Sequence, residues 1–184
     1  MDTKAIITGG ETAMKKAVEH TLHEFAGINT GKAQPSMVEN VVVEAYGSQM
    51  RLRDIATVST PDARTITIQP FDKGVSADIV RGIQAANLGF NPVPQGTFIR
   101  CPVPELTGER RAELVKVAHR LAEEGRVGVR NARRDALDVL KKAKDAIPED
   151  DFKRAEKDIQ NATDRQIAEI DKHLKVKEAD LTKL

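Results

Sequence analysis

The sequence predicts an α+β protein: an elongated three-helix bundle from residues 1–30 and 105–184, with a small β/α/β domain inserted at 31–104. Three observations predict it. Apolar residues recur at three- and four-residue spacing near both ends of the chain, as on the buried stripe of a helix. The stretch between them alternates and is rich in β-branched residues, as in short strands. Segments rich in Gly and Pro, near 27–33 and 102–106, separate the two textures and mark linkers that can hinge. Aromatic residues are only 3% of the chain, with no Trp and one Tyr. The core must therefore be aliphatic.

Taken in order, residues 11–26, ETAMKKAVEHTLHEFA, read as an amphipathic helix with Met14, Ala17, Val18, Leu22 and Phe25 on its apolar face. GINTGKAQPS then ends it. VVVEAYG and ARTITIQPF have strand character. SADIVRGIQAANLGF reads as one helix, capped by Ser or Asp and ending at Gly89. NPVPQGTFIRCPVP returns to turn and strand. Thr107 can cap a helix that runs to about Ala146, with apolar residues at 114, 117, 121, 129, 132, 136 and 140. Forty helical residues span about 60 Å, hence the elongated bundle. Pro148 interrupts, and Glu149, Asp150 and Asp151 suit the first turn of a last helix. Phe152, Ile159, Ile167, Ile170, Leu174 and Leu181 continue the seam. Neither long helix buries its stripe alone, so both pack with the N-terminal helix.

Several function classes find no support. The four histidines, His20, His23, His119 and His173, lack the further ligands that structural zinc needs. Gly9-Gly10 has neither the Lys-Ser/Thr of a phosphate loop nor dinucleotide-fingerprint spacing. Cys101, the single cysteine, cannot form an internal disulfide and reads as a small buried residue in a reducing compartment. No carboxylate pair suggests acid–base work; Asp54, Asp62, Asp72 and Asp78 show no such spacing. The expectation is a non-enzyme without cofactor or metal. MDTKAIITGGETAMKKAVEH has no hydrophobic stretch of signal-peptide length and carries acids, unlike a transit peptide. No run approaches the roughly 20 apolar residues of a membrane span. A cytoplasmic protein without a membrane partner is expected.

The formal net charge is +1, but it is unevenly spread. Residues 107–134 hold eight Lys/Arg against four Asp/Glu, and residues 148–184 hold eight against ten. The basic excess is densest in VGVRNARRDALDVL at 127–140. Arg126, Arg130, Arg133 and Arg134 stand at i, i+4, i+7 and i+8, along one side of a helix. Asp135 and Asp138 can pair with part of this group, whereas Arg126 and Arg130 have few acids in register. Arginine grips phosphate with a planar fork, so the stripe suits nucleic-acid phosphate. The competing reading is a solvated face of salt bridges on a helical protein-interaction module.

The chain resembles the ribosome recycling factor family along nearly its whole length. The resemblance rests on TGKAQPS at 30–36, VVVEAYG at 41–47, ARTITIQPFDK at 63–73 and NLGFNP at 87–92. It continues through PELTGERRAELVKVAHRLAEEGRVGVRNARRDA at 104–136, IPEDD at 147–151 and KEADL at 177–181. It implies a bundle, domain I, made from both chain ends, and an inserted β/α/β domain II. It also implies a monomeric, non-enzymatic translation factor that binds the post-termination 70S-type ribosome. With elongation factor G and GTP, such a factor splits the ribosome into subunits and frees it from mRNA. The positions implied to dock on large-subunit rRNA are Arg130, Asn131, Arg133 and Arg134, with Arg111 and Lys116 as a second patch; Arg126 joins them as a candidate on the spacing of the stripe. Asn29 and Lys32 stand where the family often has two arginines, and of these Lys32 is carried over. Gly108 stands where an acid is common.

Overall fold

The computed structural model describes residues 2–183. The chain divides into two compact units: one runs from the N-terminus through Thr30 and resumes at Gly108, and the other is Gly31–Thr107.

The first unit is a bundle of three helices. The first, α1, spans Thr3–Ala26. It begins eight residues before the predicted start at 11, and Gly9 and Gly10 lie inside it. Asp2 starts it by accepting a hydrogen bond from the Lys4 N–H at 3.0 Å. Gly10 is buried, and a Cβ there would come within 2.8 Å of Ala136 Cβ, so a missing side chain lets two backbones approach. Helix propensity disfavours glycine; close packing keeps it.

The second unit opens on a hairpin, β1 (Val42–Ala45) and β2 (Ser48–Arg51), paired antiparallel. Its two-residue turn is Tyr46-Gly47, both with positive φ, 54° and 74°. That twist matches the right-handed strands and makes Gly47 a fitting second residue. The Tyr46 hydroxyl donates to Asp72 Oδ2 at 2.9 Å, and Asp72 also accepts from the Gly74 N–H at 2.8 Å. These two bonds hold the Asp72 carboxyl below its usual range. A short turn of helix, α2 (Leu52–Ile55), leads into β3 (Ala56–Asp62) and β4 (Thr65–Pro70). Next comes α3 (Ser76–Ala85), then β5 (Val93–Gln95) and β6 (Phe98–Pro102).

The sheet order is β3-β4-β6-β5, antiparallel throughout. The unit thus has the strand–helix–strand texture expected, with two sheets rather than one. The α3 helix stops at Ala85, short of the predicted Gly89, and Asn87 and Gly89 take positive φ beyond it. No side chain caps its start; the Asp72 carboxylate caps the single turn that precedes it. Val38, Val43, Leu52, Ile66, Ile68, Ile79, Ile83, Ile99 and Cys101 form an aliphatic core. Burial pushes the Cys101 thiol up to about 11, as befits a packing residue.

The bundle resumes with α4 (Gly108–Lys142) and closes with α5 (Glu149–Thr182). The 35 residues of α4 span about 52 Å. It ends four residues before the predicted Ala146, in a tight turn at Lys144–Ala146. Lys141 and Lys142 close α4, and Glu149, Asp150 and Asp151 open α5, so each helix end meets the charge its dipole favours. Lys144 Nζ stands 5.9 Å from the Phe152 ring centroid across the turn.

The buried seam of α4 is Leu114, Ala118, Ala122, Gly125, Val129, Ala132, Ala136 and Leu140. The predicted Val117 and Leu121 lie one residue to the side and are only half-buried. Alanines and glycine fill the crossing because α1, α4 and α5 come too close there for larger side chains. On α5, Ala155, Ala162 and Thr163 join the predicted Phe152, Ile159, Ile170, Leu174 and Leu181, whereas Ile167 is half-buried. The buried hydroxyls of Thr21 and Thr163 donate to Ala17 O and Ile159 O, at 2.9 and 2.8 Å. Each is thus satisfied within its own helix, and the Thr163 hydroxyl also reaches Met14 Sδ on α1 at 3.7 Å.

Candidate nucleic-acid interface on the long helix

Helical geometry gathers Arg126, Arg130, Arg133 and Arg134 into an arc of about 100° and a length of about 12 Å. They flank the side of α4 that faces α5, which the cross-helix bonds identify. Arg126 Nε and Nη2 donate to Asp171 Oδ1 at 2.9 and 2.6 Å, and Nη1 donates to Glu123 Oε2 at 3.0 Å. Only 24% of this side chain is exposed. Arg130 pairs with Glu123 Oε1. The expectation that Arg126 and Arg130 have few acids in register is therefore overturned. Glu123 lies three residues before one and seven before the other, and the paired acids do not include Asp135 or Asp138. Bonds from Arg126 and Arg130 hold the Glu123 carboxyl below its usual range.

Arg133 and Arg134 are held differently. Arg133 Nη1 donates to Gln160 Oε1 at 3.2 Å, and Gln160 Nε2 donates to Asp164 Oδ1 at 2.9 Å. Arg134 Nη2 donates to Asn131 Oδ1 at 3.3 Å. Both guanidinium groups thus rest on neutral amide oxygens, which neutralise none of their charge. Arg134 and Asn131 are exposed and Arg133 is half-buried.

The second patch is not brought together. Arg111 and Lys116 are five residues apart, about 140° around the helix. Arg111 Nη1 donates to Leu181 O and Lys183 O, both at 2.9 Å. It thereby caps the carbonyl end of α5, a structural task that complements the helix dipole. Lys116 is exposed. Lys32 is exposed in the bend after Gly31 and belongs to the other unit. No group of three or more His, Cys, Asp or Glu among the described residues is placed to hold a metal ion. No helix among them is long and apolar enough to cross a membrane.

Glu123, Asp171 and Gln160 were missed by the sequence reading. The spacing of Glu123 to both arginines was a usable signal. Asp171 and Gln160 depend on the register of α5 against α4, which sequence spacing does not carry.

The model of one family, described as ribosome recycling factor, matches residues 21–181. The chain belongs to the ribosome recycling factor family. Ribosome-recycling factor of Desulforamulus reducens is 45% identical over 179 residues, 97% of each chain. That of Rhodopseudomonas palustris is 49% identical over 170 residues, 91% of each. A solution structure of the ribosome recycling factor superposes with a TM-score of 0.76 at 38% identity, covering 100% of this chain and 99% of that one. A second structure, at TM-score 0.64, 40% identity and full coverage of both chains, describes the T. thermophilus ribosome recycling factor and the E. coli elongation factor G bound to the E. coli post-termination complex. As a member of this family the chain is a translation factor.

Proposed function

We propose that this protein binds the post-termination ribosome through the arginine face of α4 and, with elongation factor G and GTP, splits it into subunits. The observation that carries the reading is the pairing of Arg133 and Arg134 with neutral amides. Their charge stays available to a phosphate, whereas an arginine spent on a carboxylate must first be released. Arg130 and Asn131 border them on the same face, and contact of this kind reads RNA by shape and backbone charge. Arg126 and Arg111 support the site by fixing α5 against α4. Lys116 and Lys32 add positive charge where the RNA surface extends to them. The protein acts as a cytoplasmic monomer and is not an enzyme; GTP is the translocase's ligand. Equilibrium dialysis of the isolated chain with labelled GTP is expected to find no bound nucleotide, and stoichiometric binding would contradict this.

Arg133→Ala tests the face directly. Stability should change by about 0.5 kcal/mol or less, since only a weak surface contact to Gln160 is lost. Cosedimentation with large subunits should weaken, and its salt slope should shrink by about one. Equal binding at every salt concentration would remove Arg133 from the interface. A second reading, an interaction module with structural arginines, draws on the ion pairs of Arg126 and Arg130 and predicts that equality.

A further inference from the structure

We propose that Glu123 sets the affinity of the arginine face by occupying, in the free protein, the fork of Arg130 that a phosphate takes on RNA. The inference rests on the rRNA-binding reading above. Glu123 uses both carboxylate oxygens, Oε1 on Arg130 and Oε2 on Arg126 at 3.0 Å. Arg126 has a second carboxylate, Asp171, on Nε and Nη2. The four side chains form a neutral group of two guanidiniums and two carboxylates, beside the uncompensated charges of Arg133 and Arg134. The two arginines depend on Glu123 to different degrees. Arg126 keeps Asp171 when Glu123 is neutralised and stays on α5. Among the described residues Arg130 has no other acid within ion-pairing distance, so it alone is released.

The Arg130–Glu123 pair is solvent-exposed, with 45% and 53% of the two side chains accessible. Exposed pairs exchange readily with competing partners. A phosphate presents more acceptor oxygens to the same planar fork and displaces the carboxylate. Glu123 then remains beside the phosphate as an unpaired like charge, apart from its contact to Arg126. Both effects weaken RNA binding. Glu123 thus moderates the grip of a factor that must leave the ribosome after each cycle, and it makes Arg130 respond to a phosphate placed on its fork rather than to any diffuse negative field.

The test compares wild type, Glu123→Gln, Arg130→Ala and the double variant in cosedimentation with purified large subunits across a salt series. Glutamine keeps the shape and the hydrogen bond to Arg126 while removing the charge. Glu123→Gln should bind roughly 2- to 5-fold tighter, the range set by exposed ion pairs. Its salt slope should steepen by up to about one, because the carboxylate displaced in wild type takes up a cation from solution and the glutamine does not. Arg130→Ala should bind more weakly than wild type, and the double variant should bind like Arg130→Ala. Thermal melting of Glu123→Gln should match wild type, so a change in binding cannot be ascribed to folding. Binding of Glu123→Gln no tighter than wild type, with Arg130→Ala weakened, would overturn the role of Glu123 and leave the arginine face intact. A gain that persists without Arg130 would overturn it too. Wild-type binding by Arg130→Ala would remove Arg130 from the face, and the inference with it.

Discussion

Replacing Gly31–Thr107 with a short Gly/Ser linker is expected to leave a folded bundle that binds large subunits and no longer splits ribosomes. The bundle has its own core, from Met14, Val18 and Phe25 on α1 through Val129 and Leu140 on α4 to Ile159 and Ile170 on α5. Its helices are further tied by Arg126–Asp171 between α4 and α5, and by Arg165 Nη2 to Glu11 Oε1 at 2.6 Å between α5 and α1. The excised unit begins and ends at neighbouring points: a Cβ on Gly31 would lie 3.4 Å from Leu106 Cγ and 3.9 Å from Leu106 N. A short linker therefore spans the cut, and each doubling of its length costs only about 0.6 kcal/mol. Gly31–Thr107 holds seven Lys/Arg and seven Asp/Glu, so its removal takes away no net charge and the salt dependence should persist. Splitting should fail because the translocase has lost the unit it works against. Light scattering of ribosomes with elongation factor G and GTP measures the splitting, beside a binding assay. Splitting at the normal rate would show the insertion to be dispensable. A folded bundle that no longer binds would show that the grip is shared.

Gly125→Ala is expected to destabilise the bundle even though alanine is the better helix former. A Cβ at Gly125 would stand 2.2 Å from Thr21 Oγ1, 3.0 Å from Thr21 Cγ2 and 3.1 Å from Ile170 Cδ1. Thr21 is buried, and its hydroxyl is committed to Ala17 O, so it has nowhere to swing. Separating the helices to make room would open the seam at Ala122 and Val129. Overpacking of this kind costs roughly 1–3 kcal/mol, against a gain of about 1 kcal/mol from propensity; with contacts this short, the cost wins. Gly9→Ala is the control. Among the described residues nothing lies within 4 Å of its Cβ position, so it should stabilise by about 0.5–1 kcal/mol. Urea denaturation followed by helical circular dichroism measures both. A Gly125→Ala protein as stable as wild type would mean that α1 and α4 separate at little cost.

The class of the fold was legible because three long amphipathic patterns and a β-branched middle each carry their own period. Boundaries and packing were less so, for reasons that recur. The first helix was read from residue 11, yet α1 runs through Gly9 and Gly10, and Gly10 packs against Ala136. Val117 and Leu121 look like core because they are large and apolar. Close helix crossing instead selects Ala118, Ala122 and Gly125, which hydropathy alone does not pick out. The strand β3, ATVSTPD, carries Pro61 and little apolar alternation, so its place beside β4 depends on pairing. The arginine cluster was plain from spacing. Its division into compensated and uncompensated charge was not, because that depends on which carboxylates α5 brings across.

That the α4 face binds RNA by charge can be measured as the affinity of the wild-type protein for isolated large subunits across a salt series. If Arg130, Arg133 and Arg134 each neutralise one phosphate, log K should fall linearly with log salt, with a slope near −2 to −3. A flat dependence, with binding unchanged from low to high salt, would contradict the claim and assign these arginines to the surface of a protein-interaction helix.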